Sequence, residues 1–260
     1  MRPPISRIAA SITAGAVLAS LLSVGAASTV VGKAICTYDM PKQMAGYDPS
    51  GATVNVYTPN GGLVIPGVVV CGGDGRDMVK EVLPGGVFLG RGGRDTATTV
   101  QGRFVGGGGR DHTTSVFNGG RFVGGKGADR ADQVIIMARF KGGDGTDSVG
   151  VIDGSGRFDG GAGADRVTEI KANGAFFGGG GRDRADEMKS RATFVGGNGR
   201  DRVGELLNGL FLAGGSDDTV VHQLGGVYAG GSGRDRAKEL RNCSAPVQTG
   251  VEVSPPLQSC

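Results

Sequence analysis

Between residues 72 and 241, apolar residues return at three fixed places in a unit of about eighteen residues. We count from the first glycine of a recurring Gly-Gly pair. Position 8 is small and apolar or Thr, from Val79, Ala97 and Thr113 through to Val203, Val221 and Ala237. Position 11 is aliphatic, from Val82, Val100 and Val116 through to Leu206, Leu224 and Leu240. Position 17 is large: Phe88, Phe104, Phe122, Phe140, Phe158, Phe176, Phe194, Leu212 and Tyr228. Positions 7 and 9 are polar and position 16 is polar or small, which is the in-out alternation of half-buried strands. Each strand is too short to bury a core alone, but units stacked at about 4.8 Å pair their backbones and share one interior. The pattern predicts an all-β fold. It is a right-handed parallel β-roll or β-helix solenoid with 18-residue coils, about nine to ten of them, short end caps and a length of about 43 Å.

The glycine pairs open at residues 72, 90, 106, 124, 142, 160, 178, 196, 214 and 230. The spacing is 18 except for two units of 16, which start at Gly90 and Gly214 and are both short between position 11 and the aromatic. Both deletions therefore fall in the turn opposite the glycines, as expected if a solenoid carries its variable loops on one edge. This periodicity gives the composition a meaning. With 53 Gly, 10 Pro and aromatics at 5% of 260 residues, a large mixed α/β core is a poor fit, since glycine weakens helices and ordinary strands. Collagen is excluded because glycine does not recur at every third residue. Seven of the ten Phe occupy position 17, so the few aromatics form a single column.

The coil is predicted to begin one turn before the first glycine pair, because Val64-Ile65-Pro66-Gly67 ahead of Val70 matches Val82-Leu83-Pro84-Gly85 ahead of Phe88. Residues 28–71 then form an N-terminal cap with the first half-coil, 72–241 the roll, and 242–260 a C-terminal cap. Residues 1–27 have the pattern of a cleaved secretory signal: Arg2 and Arg7, then an uncharged apolar run, then Val24-Gly25-Ala26-Ala27. Export to an extracellular location is the expectation, and no later stretch is long and apolar enough to span a bilayer. Cys36, Cys71, Cys243 and Cys260 all follow the signal, and an even number in an exported chain favours two disulfides. Of the three pairings, placement favours Cys36–Cys71 and Cys243–Cys260.

Each glycine turn reads Gly-Gly-x-Gly-x-Asp-x-apolar. Over residues 72–237 this resembles the calcium-binding nonapeptide of the repeats-in-toxin, or haemolysin-type, family. In that family two nonapeptides make one 18-residue coil of a parallel β-roll, and stacked turns hold Ca²⁺ through Asp carboxylates and turn carbonyls. Carried onto the matching positions, the resemblance implies Asp77, Asp95, Asp111, Asp129, Asp147, Asp165, Asp183, Asp201 and Asp235 as metal ligands. Gly142 to Asp147 is the best single turn. At the Gly214 copy, ungapped alignment puts Thr219 in the aspartate's place, and Asp218 enters only if the turn has shortened. The match is one-sided. The second nonapeptide of each coil keeps its apolar position but has turns such as Phe117-Asn118-Gly119-Gly120, without the Asp. At most one row of ions is expected.

Carboxylates stacked about 5 Å apart repel by about 3 to 4 kcal/mol per pair at an effective dielectric of 20, so the column needs positive charge. Calcium is one source. Arginine is the other: Arg76, Arg94, Arg110, Arg182, Arg200 and Arg234 precede the aspartate, and Arg130, Arg166, Arg184, Arg202 and Arg236 follow it. The first reading is a secreted, non-catalytic, calcium-binding β-roll. The second is a metal-free, Arg-braced solenoid acting as a surface adhesin or anionic-glycan module through Arg121, Arg139 and Arg157. A net charge of +3 is too small to imply nucleic-acid binding. An enzyme is not expected. His112 and His222 are the only histidines and lie six coils apart, and no nucleophile elbow or phosphate-binding loop appears.

Overall fold

The computed structural model describes residues 36–40, 46–47, 53–240 and 251–253. The predicted signal segment, the Cys243–Cys260 pair and most of the C-terminal cap lie outside them. The described chain winds into an all-β parallel solenoid of about ten turns, repeating about every 18 residues. Each full coil gives one strand to each of two sheets. On the aromatic sheet, Arg103–Gly109, Arg121–Gly127 and Arg139–Gly145 stack in parallel, with Phe104, Phe122 and Phe140 in register. On the aliphatic sheet, His112–Val116, Arg130–Ile135 and Ser148–Asp153 stack with Val116, Val134 and Ile152 in register.

The core between the sheets is narrow and continuous. Its aromatic wall runs from Phe88 to Tyr228, all fully buried or 1% exposed. Successive ring centroids lie 4.5 to 5.1 Å apart with interplanar angles of 6 to 16°. The strand repeat imposes this: rings that occupy the same position in coils about 4.8 Å apart can only lie face over face. Opposite them lie the small residues of position 8 and the aliphatic residues of position 11.

One coil departs from the expected register. Gly197 pairs with Gly214 and Gly214 with Gly231, so the coils start at Gly196, Ala213 and Gly230, and both intervening units have 17 residues. Ala213, not Gly214, occupies position 1. Phe211 therefore takes the aromatic position and stacks 4.9 Å from Phe194, while Leu212 points outward, 39% exposed. Likewise Val220 replaces Val221 at position 8, and the buried Gln223 replaces Leu224 at position 11. Its Nε2 donates to the Gly226 carbonyl at 3.3 Å, which satisfies part of that polar group inside the core. The Gly-Gly pair misleads here because the aromatic and aspartate columns, not the glycines, fix the register. The shortenings still fall between position 11 and the aromatic, the edge expected from the sequence.

The glycine turn is an extension of the aromatic sheet in which position 4 must be left-handed. Gly145 has φ +143°, and a Cβ there would overlap the Gly127 carbonyl oxygen of the coil before. On the opposite edge the tight turns also need positive φ, supplied by Asn118 and Gly119 in one coil. The next coil puts Ile136 (φ 54°) and Met137 (φ 58°) in the same places, exposed by 47% and 67%. A β-branched residue is strained there and gains no burial in return. The double change Ile136→Asn, Met137→Gly is expected to stabilise the protein by about 1 to 2 kcal/mol, read as a higher midpoint in urea. An unchanged or lower midpoint would show that the turn is not strained.

The solenoid does begin early: Val64 lies in register with Val82, and Val70 with Phe88. Tyr38–Asp39 adds to the aromatic sheet beside Val70 and Cys71, and Cys36 is disulfide-bonded to Cys71. Thr53–Val56 stacks in parallel on the first full coil and aligns Asn55 with Asp77. At the far end Val251–Val253 pairs with Asp235, Arg236 and Ala237.

Candidate functional site

Position 6 lies two residues before the core-facing position 8, so strand alternation turns it inward too. Asp77, Asp95, Asp111, Asp129, Asp147, Asp165, Asp183, Asp201 and Asp235 accordingly form one column inside the solenoid, each no more than 1% exposed. Asp218 is the tenth member, equally buried. The shifted register puts it, and not the half-buried Thr219, in the aspartate's place.

The column is a ladder with a direction. From Asp77 to Asp218, the backbone N–H of each aspartate donates to Oδ1 of the aspartate one coil further on. The distance is 3.0 Å from Asp77 to Asp95, 2.8 Å from Asp129 to Asp147, 2.7 Å from Asp201 to Asp218 and 3.0 Å from Asp218 to Asp235. The other five rungs are all 2.8 Å. At the head, Asn55 stands in for an aspartate and its Nδ2 donates to Asp77 Oδ1 at 2.6 Å. Oδ2 of Asp77 also has a donor, the N–H of Gly73 at 2.6 Å.

The second oxygen of the other nine is different. Oδ2 of Asp95, Asp111, Asp129, Asp147, Asp165, Asp183, Asp201, Asp218 and Asp235 is buried without a hydrogen-bond partner. In most coils it sits above the first glycine of its own turn, beside the carbonyl of the next coil's first residue. A Cβ on Gly142 would collide with Asp147 Oδ2 and stand 2.5 Å from the Gly160 carbonyl oxygen, and the same trio recurs at Gly90, Gly160 and Gly178. Two acceptors thus share one small space with no donor. Burial pushes these carboxyl groups up: Asp95 to about 8, Asp111, Asp147, Asp165, Asp201 and Asp218 to about 7, and Asp129 and Asp183 to about 6. The N–H donated to Oδ1 acts in the opposite sense but is outweighed in each of these eight.

The arginines flanking the aspartate are mostly exposed, and Arg130, Arg166, Arg184 and Arg200 pair with surface carboxylates and not with the column. Arg130 pairs with Asp132 at 2.7 Å, Arg166 and Arg184 with Asp186 at 2.5 Å, and Arg200 with Asp217 at 3.4 Å. The two histidines are likewise in surface pairs, His112 with Asp132 and His222 with Glu239.

The donor set can be set against a hard divalent cation, which takes six to eight oxygens at about 2.4 Å. An unpartnered carboxylate oxygen beside a main-chain carbonyl, repeated along the column, fits its chemistry. Among the described residues no three His, Cys, Asp or Glu side chains converge on one point, so turn carbonyls would complete any shell. Some of these, such as Gly75 O and Gly180 O, already accept an N–H from an adjacent coil, leaving a second lone pair each.

An amide in the same place would supply the missing donor. Asp147→Asn is expected to stabilise the calcium-free protein at pH 8 by about 1 kcal/mol, because Nδ2 would face the Gly160 carbonyl and a buried charge would be removed. Urea denaturation reads this directly, and a loss of stability would mean that the carboxylate itself is required.

Asp218 and Asn55 were not assigned to the column from sequence. Asp218 was legible only through the aromatic column, by placing Phe211 and not Leu212 in line with Tyr228. Asn55 is 22 residues before Asp77, off the repeat, so only the alternation in Thr53-Val54-Asn55-Val56 hinted at it. No protein-family model matches the chain, and neither does any curated protein or solved structure.

Proposed function

We propose that this chain is a non-catalytic, exported β-roll whose aspartate column takes up calcium, and that the ions assist its folding and rigidity. The observation that carries this reading is the row of buried carboxylate oxygens with no hydrogen-bond donor. Bound calcium would supply the positive charge that offsets carboxylate repulsion along the column. Asp95 to Asp235 would hold it together with carbonyls of the glycine turns. Glycine at position 1 keeps Cβ atoms out of the space in every coil but the one that opens on Ala213, and the ladder N–H groups fix each carboxylate's rotamer. A ligand that binds only the folded state stabilises it by mass action. The Cys36–Cys71 disulfide supports an oxidising destination, in keeping with the N-terminal signal pattern.

A proton is the competing neutraliser. The elevated carboxyl groups favour that reading at low pH, and the N–H donation to Oδ1 serves either. The deciding experiment is a thermal melt at pH 7.5 with millimolar calcium and with chelator, paired with calcium content by equilibrium dialysis. Bound calcium with a melting temperature raised by about 5 °C or more supports the proposal. Superimposable melts with no retained calcium would leave the ladder as a metal-free structural device. Because the Ala213 Cβ stands where the other turns have glycine, Asp147→Asn is expected to reduce the calcium response more than Asp218→Asn.

A further inference from the structure

On the outside of the aliphatic sheet the ladder of long cations from Arg130 to Arg236 is interrupted at Ser148 and again at Thr219, and only the second break is flanked by arginine at position 5 as well. Position 7 carries Arg184, Arg202, Thr219 and Arg236 on successive strands in register. In the same coil, position 5 is Asp217, where the coils on either side have Arg200 and Arg234. Two short side chains in one coil thus lie between two coils that each carry two arginines. The result is a cleft of about 410 Å³ walled by Arg182, Arg200, Arg202, Arg234, Arg236 and Lys238, with Asp217 and Thr219 among its lining. All six cations are exposed, and Thr219 and Asp217 are half-buried.

We infer that this cleft is an anion-binding site for tetrahedral oxyanions that bring at least two negative charges, a phosphate monoester or a saccharide bearing two sulfate esters. The spacing is the reason. Adjacent strands lie about 4.8 Å apart, too close for an anion to enter between neighbouring arginines, whereas skipping one coil separates the walls by about 9.6 Å. A tetrahedral group fits that gap and meets guanidinium forks from both sides, the geometry in which Arg binds oxyanions with paired hydrogen bonds. Six cations set against the single surface carboxylate of Asp217 call for more than one negative charge. Asp217 is already turned aside: Oδ2 lies 3.4 Å from Arg200, and Oδ1 accepts the Arg234 N–H at 3.0 Å. The cleft adjoins the aspartate column, because the buried Asp201 is also in its lining.

Titration calorimetry at low salt, with inorganic pyrophosphate and a disaccharide bearing two sulfate esters as probes, tests the inference in the full chain. Saturable binding of one or both is expected, and which of them binds identifies the ester. Arg202→Gln with Arg236→Gln should weaken it at least tenfold. Arg103→Gln with Arg121→Gln, the same charge change on the aromatic sheet, should leave it unchanged. Thr219→Arg is the sharper variant: it adds a positive charge but closes the gap, so binding should fall. Tighter binding in Thr219→Arg, equal losses in the two double variants, or no binding of either probe would overturn the site. Circular dichroism confirms that each variant is folded, and if Thr219→Arg is not, the paired double variants still decide.

Discussion

Lowering the pH of the calcium-free protein from 8 to 5 is expected to raise its melting temperature by about 10 °C or more. The sign follows from the buried column. Asp95 titrates at about 8, and Asp111, Asp147, Asp165, Asp201 and Asp218 at about 7, against 3.8 for the unburied group. A carboxyl whose folded value is raised binds its proton more tightly in the native state. Its stabilising contribution is complete below the unfolded value and is lost as pH rises through the folded one. Stability should therefore decline from about pH 4, the unfolded value, to about pH 8, where the highest folded value is passed. Neutralisation also supplies the missing donor, since a protonated Oδ2 can give its hydrogen to the neighbouring carbonyl. A surface pair such as Arg130–Asp132, in which the arginine and His112 hold the carboxyl below its usual range, works the other way, but only near pH 4 and below. Calcium should flatten the profile by taking the proton's place at pH 8 while adding little at pH 5. A melting temperature that is flat or falls between pH 8 and 5 without calcium would mean that the column is not neutralised by protons.

Phe158→Ala is expected to cost about 3 to 5 kcal/mol, the range for removing a fully buried aromatic ring. Phe158 is 0% exposed and stacks on Phe140 at 4.8 Å and Phe176 at 5.0 Å. The backbone ladders fix the coils' spacing, so the hole cannot close by moving one coil toward its neighbour, and the cavity persists. Two stacked contacts are lost as well as the buried area. Urea denaturation with a well-defined baseline measures the loss. A value below about 1 kcal/mol would mean that the core relaxes far more than a coil stack should allow. Phe158→Leu, which keeps most of the volume, should recover more than half of it.

The fold was legible in the sequence because one physical constraint repeats in it many times. Stacked strands at a fixed spacing force like residues into columns, and Phe88 to Phe194 made that column visible. The early start at Val64 and Val70 and the edge that carries the deletions follow from the same logic. In the coil from Ala213 to Ala229 two signals disagree. Gly214-Gly215 looks like the start of a turn, yet Phe211 and Asp218 hold the register one residue earlier, and alanine is accepted at position 1. The aspartate positions were legible, but their surroundings were not. Sequence shows that Asp147 recurs at eighteen-residue spacing. It does not show that Oδ1 is taken by the N–H of Asp129 or that the arginines turn outward to Asp132 and Asp186. The anion cleft was invisible for a related reason, since it is made by the absence of arginine in one coil and only shows when strands are laid side by side.

The direction of the ladder has a consequence for how the chain can be assembled. Each aspartate N–H is satisfied by the coil that follows it, so a coil with no successor keeps an unpaired polar group at its inner wall. Growth toward the C-terminus therefore locks each coil only when the next one arrives, while the head is closed in advance by the Asn55 amide. A chain emerging N-terminus first from a ribosome or a membrane channel meets that requirement in order. It would wind behind its own leading end, with the newest coil always the loosest. Shortening it from the C-terminal side should then fray one coil at a time, whereas removing residues 53–56 would expose Asp77 and loosen the start from which the rest is wound.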